Sequence, residues 1–524
     1  MLKYLLMRIL HGLISIIIVV AIVMILIYSL MDRNTIFMSD GQFSKLKSND
    51  RSVYKYRVWE QYGYLDYVPY SEYLSQKVSD GELDAETSKK AASLGRTADK
   101  DSELTQKYVE EFTRFYQSKN YTVMRLDAQV YKNKVIDGGT QQLFAVKDIP
   151  VLTRIWNYFT GIFMFDNIHY AKGDVGDRGI TFTLFDPAYG GNVFSPAIMG
   201  NGTKHKYLLY FDNKFPFIHQ NLITIQLGTS YSVNRGIDVY NTMTDSQGSI
   251  VQQEVNYPTG NVIFSSDDLH SAVYQEGSLA LGGETYSLKF VDDYTNVSSL
   301  KASKSSMGFS FVIGIIAVAI AYLLGIPLGI LMAREKDKIA DKIGTIYIIF
   351  IIAVPSLAYI LIFKAIGNKL FGLPTAFDMT KENIYMYVLP IVSLALPSVA
   401  NLMKWLRRYM IDQENSDYVK FARSGGLSEG EIFRKHILKN AIIPITHGIP
   451  SSILGALVGA IMTERIYVVP GAGNLLTRAI NAYDNGVIVG VTLFYALLSV
   501  ISIILGDILM SLVDPRISYV SKGR

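Results

Sequence analysis

The stretch "FARSGGLSEGEIFRKHILKNAIIP" (421–444) is charged, broken by glycine and set between long apolar segments. Ser428, followed three positions later by Glu431, matches a capping box, which predicts that a helix begins there. The preceding Gly425-Gly426 pair predicts a sharp turn, because glycine tolerates positive φ. We therefore predict two short amphipathic helices joined by a turn.

Six stretches without a charged residue surround this segment in the chain. Each has about the 20 apolar residues that are needed to cross a bilayer. They are 9–31, 305–333, 343–363, 383–403, 440–463 and 485–506. The first one is longer than the apolar part of a typical signal peptide and is followed by no small-x-small cleavage site, so we expect an uncleaved signal anchor.

The distribution of Lys and Arg predicts how these spans are oriented. With the N-terminus inside, the inner segments carry 17 basic residues, whereas the two short outer loops carry five. Basic residues accumulate on the cytoplasmic side of membrane proteins. We therefore expect a multi-pass protein of the cell membrane with both termini in the cytoplasm. The loop 404–442 is then cytoplasmic, and the region 32–304 is extracytoplasmic.

Composition excludes several classes of function. The region 31–306 contains 28 basic and 32 acidic residues, while the rest of the chain has 22 basic and 14 acidic residues. This asymmetry indicates opposite sides of a bilayer and gives no indication of nucleic-acid binding. The chain has no cysteine, which excludes disulfides and thiolate metal sites. We find no nucleophile elbow or paired-carboxylate spacing, so no enzyme is predicted.

The outer region reads as a mixed α+β domain. Apolar residues in 102–116 recur at helical spacing opposite charged ones, which predicts a helix. Three stretches rich in β-branched and aromatic residues, 205–212, 221–227 and 285–291, predict strands. Without any sign of a catalytic site, the pattern favours a docking or shielding domain.

Spacing alone leaves two interpretations of the cytoplasmic loop open. An amphipathic segment of this kind can lie in the lipid headgroup region with its basic residues on anionic lipid. It can equally dock into a groove on a cytoplasmic partner, since helix-in-groove contacts need the same kind of apolar face.

The loop resembles the EAA loop of binding-protein-dependent ABC importer permeases. Ala422, Gly426 and Pro444 fall on that family's Ala, Gly and Pro, whereas Lys420 and Phe421 replace its Glu-Ala pair. The match is closest to the B-type subunit of oligopeptide and dipeptide (Opp/Dpp) importers.

Other parts of the chain support this resemblance. Similar motifs are "GIPLGILMAR" (325–334), "AVPS" (353–356), "LPIVSLALPSVANLMKWLRR" (389–408), "TERIYVVPGAGNLLTRAI" (463–480) and "DPRI" (514–517). The segments 149–159 and 227–239 resemble two pieces of the family's shorter first outer loop, here separated by an insertion. A large first outer loop is typical of the Ami/Opp permeases of streptococci and related Gram-positive bacteria.

The resemblance implies an architecture. It is the all-helical type I ABC importer fold, with six transmembrane helices and a large α+β extracytoplasmic domain between the first two. The expected parts are an N-terminal helix (1–31), an outer domain (32–304), a five-helix permease core (305–514) that contains the coupling loop 404–442, and a cytoplasmic tail (515–524).

The resemblance also implies a function. The chain would be the permease subunit that forms half of an oligopeptide pathway, in a heterodimer with a C-type permease. Two ABC ATPases would bind ATP and Mg, since this chain has no phosphate loop and is expected to bind no cofactor or metal. A lipid-anchored oligopeptide-binding protein would deliver the peptide. The residues expected to couple to the ATPases are Phe421, Ala422, Gly425, Gly426, Leu427, Ile432 and Phe433.

Residues for the pathway itself follow from their place in the spans. Proline inside a span allows a kink, and intramembrane polar groups tend to face a cavity. The candidates are Pro355, Pro397, Asn401, His447 and Glu464. Packing kinks and ordinary interhelical hydrogen bonds are the alternatives for these positions.

A competing hypothesis is a mechanotransmission-type ABC membrane subunit, which also carries a large outer domain after its first span. Such a protein would transmit force and transport nothing through its own helices. Six spans and a glycine-broken cytoplasmic loop favour the importer.

Overall fold

A computed structural model describes residues 2–38, 40–46, 48–128, 130–131, 134–135, 141–172, 175–186, 190–212, 217–245, 247, 250–255, 261–263, 273–275, 289–291, 295–301, 304–379 and 383–513. The expected tail 515–524 and the motif at 514–517 lie outside these residues.

The helices follow one another from the first described residues to the last. In chain order they are α1 (Leu2–Leu30), α2 (Gly41–Lys45), α3 (Ser48–Gln61), α4 (Tyr70–Ser79), α5 (Ala85–Ala91), α6 (Glu103–Ser118), α7 (Val151–Gly161), α8 (Val239–Thr244), α9 (Ser306–Arg334), α10 (Ile339–Ala353), α11 (Ser356–Phe371), α12 (Tyr385–Glu414), α13 (Asp417–Ser424), α14 (Glu429–Ile432), α15 (Lys439–His447), α16 (Ile449–Tyr467), α17 (Ala472–Asn481) and α18 (Asn485–Val513).

The described strands all lie between α1 and α9. They are β1 (Leu65–Pro69), β2 (Thr122–Leu126), β3 (Val130–Tyr131), β4 (Lys134–Val135), β5 (Gln142–Asp148), β6 (Phe163–Phe165), β7 (Gly179–Thr183), β8 (Ala197–Asn201), β9 (Tyr207–Asp212), β10 (Phe217–Gln220), β11 (Ile223–Ile225), β12 (Ile250–Val255), β13 (Asn261–Ile263), β14 (Val273–Gln275), β15 (Lys289–Val291) and β16 (Thr295–Lys301).

Five of the described helices are long and apolar enough to cross a membrane by themselves. They are α1, α9, α12, α16 and α18. The third predicted span, 343–363, is not one helix, because α10 and α11 meet there at an angle of 115°. Pro355 causes the break, since proline disfavours helical backbone in the residue before it, and Val354 is extended. Six spans result only if this bent pair counts as one.

Two further span limits differ from the prediction. The fourth span does not end at residue 403, because α12 continues as a helix to Glu414. The fifth, 440–463, is divided at Gly448 into α15 and α16, and Pro444 lies inside α15. Charge marks the end of an apolar run but does not end a helix, which explains the longer α12.

Close packing of α9 against α12 forms the centre of the membrane part. Gly325 and Gly329 are four residues apart on one face of α9, and Leu402 and Leu406 of α12 lie against them. A Cβ atom at Gly325 would lie 2.9 Å from Cβ of Leu402. Small residues at this spacing let helix backbones approach closely within a membrane.

The region 32–304, for which an outer location was predicted, contains helices and sheets that are antiparallel except for the parallel pair β13–β16, as the α+β prediction requires. The strand order β1-β5-β2 forms one sheet, with α3–α6 around it. The predicted helix at 102–116 is α6, and Ser102 caps it by accepting a hydrogen bond from the Thr105 N–H. The strand predictions correspond to β9, β11 and β15, although residues 285–288 lie outside the described residues.

The two segments that resemble a shorter outer loop come together in space. The first forms α7 and leads into β6, and the second follows β11; β6 and β11 pair as antiparallel strands. The residues between them carry a separate four-stranded sheet of order β10-β9-β8-β7. The insertion therefore leaves the pairing of its two ends intact.

Candidate coupling loop and transport cavity

The loop 404–442 contains the last turns of α12 and then the two short predicted helices, α13 and α14. The Ser428 hydroxyl caps α14 by accepting a hydrogen bond from the Glu431 N–H at 3.4 Å. Across the turn, the Arg423 guanidinium donates two hydrogen bonds to the Glu429 carboxylate, at 2.5 and 2.9 Å. This pair, which the sequence analysis missed, connects the end of α13 to the start of α14.

Gly426 occupies the turn with φ of +80°, in the left-handed region that favours glycine. Its neighbour Gly425 has φ of −77° and closes α13. A Cβ atom added at Gly426 would meet no atom within 4 Å in this chain. Backbone conformation, and not a lack of space, therefore restricts which residues position 426 tolerates. The space around it is free for a partner.

The apolar residues of α13 divide between two faces. Phe421 is 76% exposed, and Tyr418 and Leu427 are also exposed. Val419 is fully buried, and Ala422 packs beside it against the membrane core. Phe421 is therefore an unsupported aromatic side chain on the loop surface, where a docking anchor is expected.

Two of the seven expected coupling residues lie elsewhere than predicted. Ile432 is 0% exposed and lies in the same buried cluster as Leu406 and Met410 of α12, so it belongs to the core of this chain. Phe433 is half-buried, with the Arg334 guanidinium 5.3 Å from its ring centroid. The helical pattern shows which residues share a face but does not show which face is covered.

Residues Phe433–Leu438 form a π-helical segment between α14 and α15. Segments of this kind are rare and often mark functional sites. Within it Ile437 is buried in the same core as Ile432. Buried side chains on both sides of the turn, Val419 before it and Ile432 and Ile437 after it, thus share one core cluster with α12.

A cavity of about 720 Å3 lies between α9, α11, α12 and α16. Two of the pathway candidates, Pro397 and Asn401, line it. Hydroxyl groups dominate the other polar positions, contributed by Ser356, Ser393, Ser398, Ser451, Ser452 and Thr463. Among the described lining residues none is charged, so the cavity presents neutral hydrogen-bonding groups on an apolar wall.

Three other pathway candidates lie outside the lining. Pro355 is the residue at the bend between α10 and α11, next to the lining residue Ser356. His447 ends α15 and packs against Gly506 of α18, where its carbonyl oxygen would lie 3.0 Å from an added Cβ. In this structure Pro355 shapes the bend beside the cavity and His447 packs against α18.

Glu464 is fully buried and caps a helix. Its carboxylate accepts hydrogen bonds from the Ser310 hydroxyl at 2.5 Å and from the N–H groups of Gly473 and Asn474 at 2.8 and 3.1 Å. The last two belong to the first turn of α17. A carboxylate is favoured there because the N-terminal N–H groups of a helix are unpaired and positively polarised.

Helix α12 connects the cavity to the loop. Its middle carries Pro397 and Asn401 at the cavity, and its end leads directly into α13. Between the cavity residues and the end of α12, the Arg407 guanidinium forms a bidentate ion pair with Asp341 of α10, with distances of 2.6 and 2.7 Å. A force applied to α13 therefore reaches the cavity wall through one continuous helix.

In the described part of the chain, no cluster of His, Asp and Glu is placed to hold a metal ion.

Comparisons with known proteins agree with this geometry. A sequence profile of the family described as "Binding-protein-dependent transport system inner membrane component" matches residues 325–519. The oligopeptide transport system permease protein AmiC of Streptococcus pneumoniae serotype 4 (strain ATCC BAA-334 / TIGR4) is 33% identical over 526 residues, which cover 99% of both chains.

Shorter relatives match only part of the chain. The dipeptide transport system permease protein DppB of Bacillus subtilis (strain 168) is 33% identical over 217 residues, or 41% of this chain and 69% of DppB. DppB of Lactococcus lactis subsp. cremoris (strain MG1363) is 31% identical over 229 residues, or 43% of this chain and 73% of DppB. The resemblance found in the sequence is confirmed: the chain is a multi-pass membrane protein that belongs to the Opp/Dpp family of ABC importer permeases.

Proposed function

We propose that this chain forms one half of the transmembrane pathway for oligopeptides in an ATP-driven importer. The observation that carries the proposal is the path of α12, which lines the cavity at Pro397 and Asn401 and leads into the exposed loop at Phe421. The names of its relatives, oligopeptide and dipeptide permeases, supply the substrate class.

The cavity has the chemistry that a peptide carrier of low selectivity needs. Every peptide offers backbone N–H and C=O groups, which serine hydroxyls and the Asn401 amide can pair with. A charged wall would select for side chains of one sign, and the described lining has none. Varied peptides therefore pass with similar, weak affinity.

Energy reaches this pathway through the loop. Phe421 and Leu427 dock into a groove on an ABC ATPase. Binding of ATP and Mg brings two such ATPases together. The glycine turn at Gly426 brings the backbone close to that surface. Closure pulls α13, which moves α12 and changes the side of the membrane to which the cavity opens.

The complete importer contains further partners. A C-type permease supplies the second half of the pathway, so this chain alone does not form a functional homodimer. Both termini and the loop 404–442 lie in the cytoplasm. The outer region 32–304 forms a cap that seats a lipid-anchored oligopeptide-binding protein, and its size, far beyond that of an ordinary connection, supports a docking role.

Uptake in proteoliposomes tests this proposal. This chain, a C-type permease, two ATPases and the binding protein are reconstituted together, and ATP-dependent accumulation of a labelled peptide is measured. Gly455 lines the cavity, and a Cβ atom added there would meet no atom of the described residues within 4 Å. We expect Gly455→Leu to fill part of the cavity and lower uptake about tenfold, as loss of roughly 1.4 kcal/mol would, with assembly unchanged.

The control enlarges a side chain outside the cavity. Leu323 of α9 is 73% exposed and is absent from the described lining of the cavity, so Leu323→Phe should transport normally. If the wild-type complex assembles and hydrolyses ATP but accumulates no peptide, the pathway proposal fails and the mechanotransmission alternative gains support.

A further inference from the structure

A second cavity, of about 270 Å3, lies where α1 and α18 reach the outer region. Tyr28 near the end of α1 and Asn485 at the start of α18 line it, together with Arg154 of α7. Tyr62 and Tyr158 also line it, and its other polar residues are Gln61, Tyr64, Asn157 and Thr229. This site shares no lining residue with the transport cavity.

The Arg154 side chain is the centre of this cavity. It is 8% exposed, and its guanidinium lies 3.6 Å from the ring centroid of Tyr28 and 3.9 Å from that of Tyr64. Its Nη2 atom is buried without a hydrogen-bond partner among the described residues, and Arg154 forms no ion pair with them. Two aromatic faces offset part of the cost of burying a cation, but an anion is the partner that offsets most of it.

Three more buried polar atoms of this wall lack partners within the described chain. They are the hydroxyls of Tyr62 and Tyr158 and the Oδ1 atom of Asn485. A buried polar atom left unpaired costs free energy, so a cluster of four on one cavity indicates a ligand that pairs with them. The guanidinium and the hydroxyls donate to an anion, and Oδ1 accepts from a hydroxyl or amine of the same molecule.

The position of the cavity relative to the membrane limits which class of ligand it can bind. Met24 and Val489, about one turn inside α1 and α18, form its apolar side. On α7, Leu152 and Trp156 are each two residues from Arg154, and thus about 200° around the helix from it. Both are exposed, Trp156 to 70%. Exposed tryptophan beside the end of a spanning helix is typical of the level of the lipid headgroups.

We propose that this cavity binds the phosphodiester headgroup of an anionic phospholipid. Arg154, Tyr62 and Tyr158 donate hydrogen bonds to the phosphate oxygens, and Asn485 accepts one from a headgroup hydroxyl, as in phosphatidylglycerol. The acyl chains leave along the apolar side toward the bilayer core. That the leaflet is the outer one rests on the orientation in the proposed function.

Lipid retention tests the site on the assembled permease complex. The complex is purified from nanodiscs of phosphatidylglycerol and phosphatidylcholine, and bound lipids are counted by native mass spectrometry. We expect phosphatidylglycerol to be retained and Arg154→Gln to lower its retention about tenfold, since a charge-assisted hydrogen bond is lost. Arg154→Lys should retain an intermediate amount. The matched control is Arg114→Gln, because Arg114 is an exposed arginine of α6.

Tyr62→Phe decides the matter if Arg154→Gln does not fold. Because the Tyr62 hydroxyl has no partner in the described chain, its removal should leave the thermal stability of lipid-free protein unchanged or higher. With phosphatidylglycerol present, the variant should lose part of the lipid-induced rise in melting temperature. An equal rise in wild type and variant would overturn the proposal.

Inorganic phosphate separates the two sources of the same chemistry. If phosphate alone stabilises the wild type as much as phosphatidylglycerol does, the site takes free phosphate and the lipid assignment is wrong. Peptide uptake is measured in parallel. A complex that retains lipid but imports no peptide would contradict only the proposed function, so the two failures are distinguishable.

Discussion

The Ser230 hydroxyl donates a hydrogen bond of 2.8 Å to Oδ2 of Asp484, although the two residues are 254 positions apart. The same oxygen accepts hydrogen bonds of 3.0 Å from three consecutive backbone N–H groups, those of residues 231–233. The other oxygen, Oδ1, accepts from the Val487 N–H at 3.3 Å in the first turn of α18. One buried carboxylate therefore joins the outer region to the last membrane helix.

Asp484→Asn should loosen this attachment. An amide has one accepting oxygen, so its NH2 group must face either the three N–H groups or the helix start, where donors oppose donors. We expect a loss of about 2–4 kcal/mol in the free energy of unfolding. Thermal unfolding of the detergent-solubilised chain measures it. Asp99→Asn is the matched control, because Asp99 is exposed and should tolerate the change.

The sequence position of Glu464 suggested a role in the transport pathway. Its hydrogen bonds in the structure instead lead to a prediction about stability. Glu464→Ala should destabilise the chain by about 2–4 kcal/mol, because the Ser310 hydroxyl and the N–H groups at the start of α17 lose their buried hydrogen-bond acceptor. Arg465→Ala, next to it but exposed, should change stability little. If Glu464→Ala is as stable as the wild type but alters which peptides are carried, the residue is a gate after all.

Local features of this fold could be predicted from the sequence. The Ser428–Glu431 cap depends on residues three apart, and the positive φ at Gly426 depends on glycine alone. The helix at 102–116 follows from the spacing of its own apolar residues. Membrane spans are equally local, since length and apolarity suffice to detect them.

Features that depend on distant partners could not be predicted. Nothing near Glu464 in sequence indicates that Ser310 pairs with it, and Ile432 shows the same apolar spacing whether covered or exposed. The proline at 355 indicated a possible kink, but the division of the span into two helices at 115° was not predicted, because the apolar run continues through it. In each case the local sequence pattern is compatible with more than one structure, and tertiary packing determines which one forms.

Gly426→Val should uncouple ATP hydrolysis from peptide binding. A β-branched residue at φ of +80° costs about 1–2 kcal/mol or more, and the turn moves to avoid it. Gly430→Val is the control, since Gly430 is exposed, has no positive φ and has free space around it. We would measure ATPase stimulation by loaded binding protein. Normal stimulation in Gly426→Val would show that the turn geometry is dispensable.

The Arg423–Glu429 ion pair should make the loop sensitive to acid. The two hydrogen bonds from Arg423 hold the pKa of the Glu429 carboxyl below its usual value of 4.5. Because the folded pKa is the lower one, the contribution of the pair is complete above pH 4.5 and is lost as pH falls through the folded pKa. Hydrogen exchange of residues 417–432 should therefore be equal at pH 6 and pH 8, after correction for intrinsic rates, and faster below pH 4.5.

Glu429→Gln separates this effect from a neighbouring pair. Lys435 likewise holds the pKa of Glu431 low, so both carboxylates are protonated in acid. At pH 7 the glutamine variant should already exchange faster around the turn. If it matches the wild type at pH 7, the ion pair does not order the loop.

Phe421 and Ile432 provide the sharpest test of the loop, because both are apolar but only one is exposed. Phe421→Asp replaces a side chain that is 76% exposed, so the chain should fold and reach the membrane normally. Ile432→Asp places a charge in the fully buried position beside Leu406, and it should destabilise the chain by several kcal/mol. Yield and melting temperature measure this first difference.

The second difference, in ATPase binding, is measured by association of the variant with the ATPases. In detergent no bilayer surface remains, so a helix that only lies on lipid loses nothing more when Phe421 becomes Asp. A docking anchor instead loses its buried contact, and truncating such an anchor usually costs about 2 kcal/mol or more. We therefore expect Phe421→Asp to recover at least about tenfold less ATPase in co-purification with the C-type permease. Full recovery, with normal peptide-stimulated ATP hydrolysis, would assign the loop to the membrane surface and remove it from the coupling pathway.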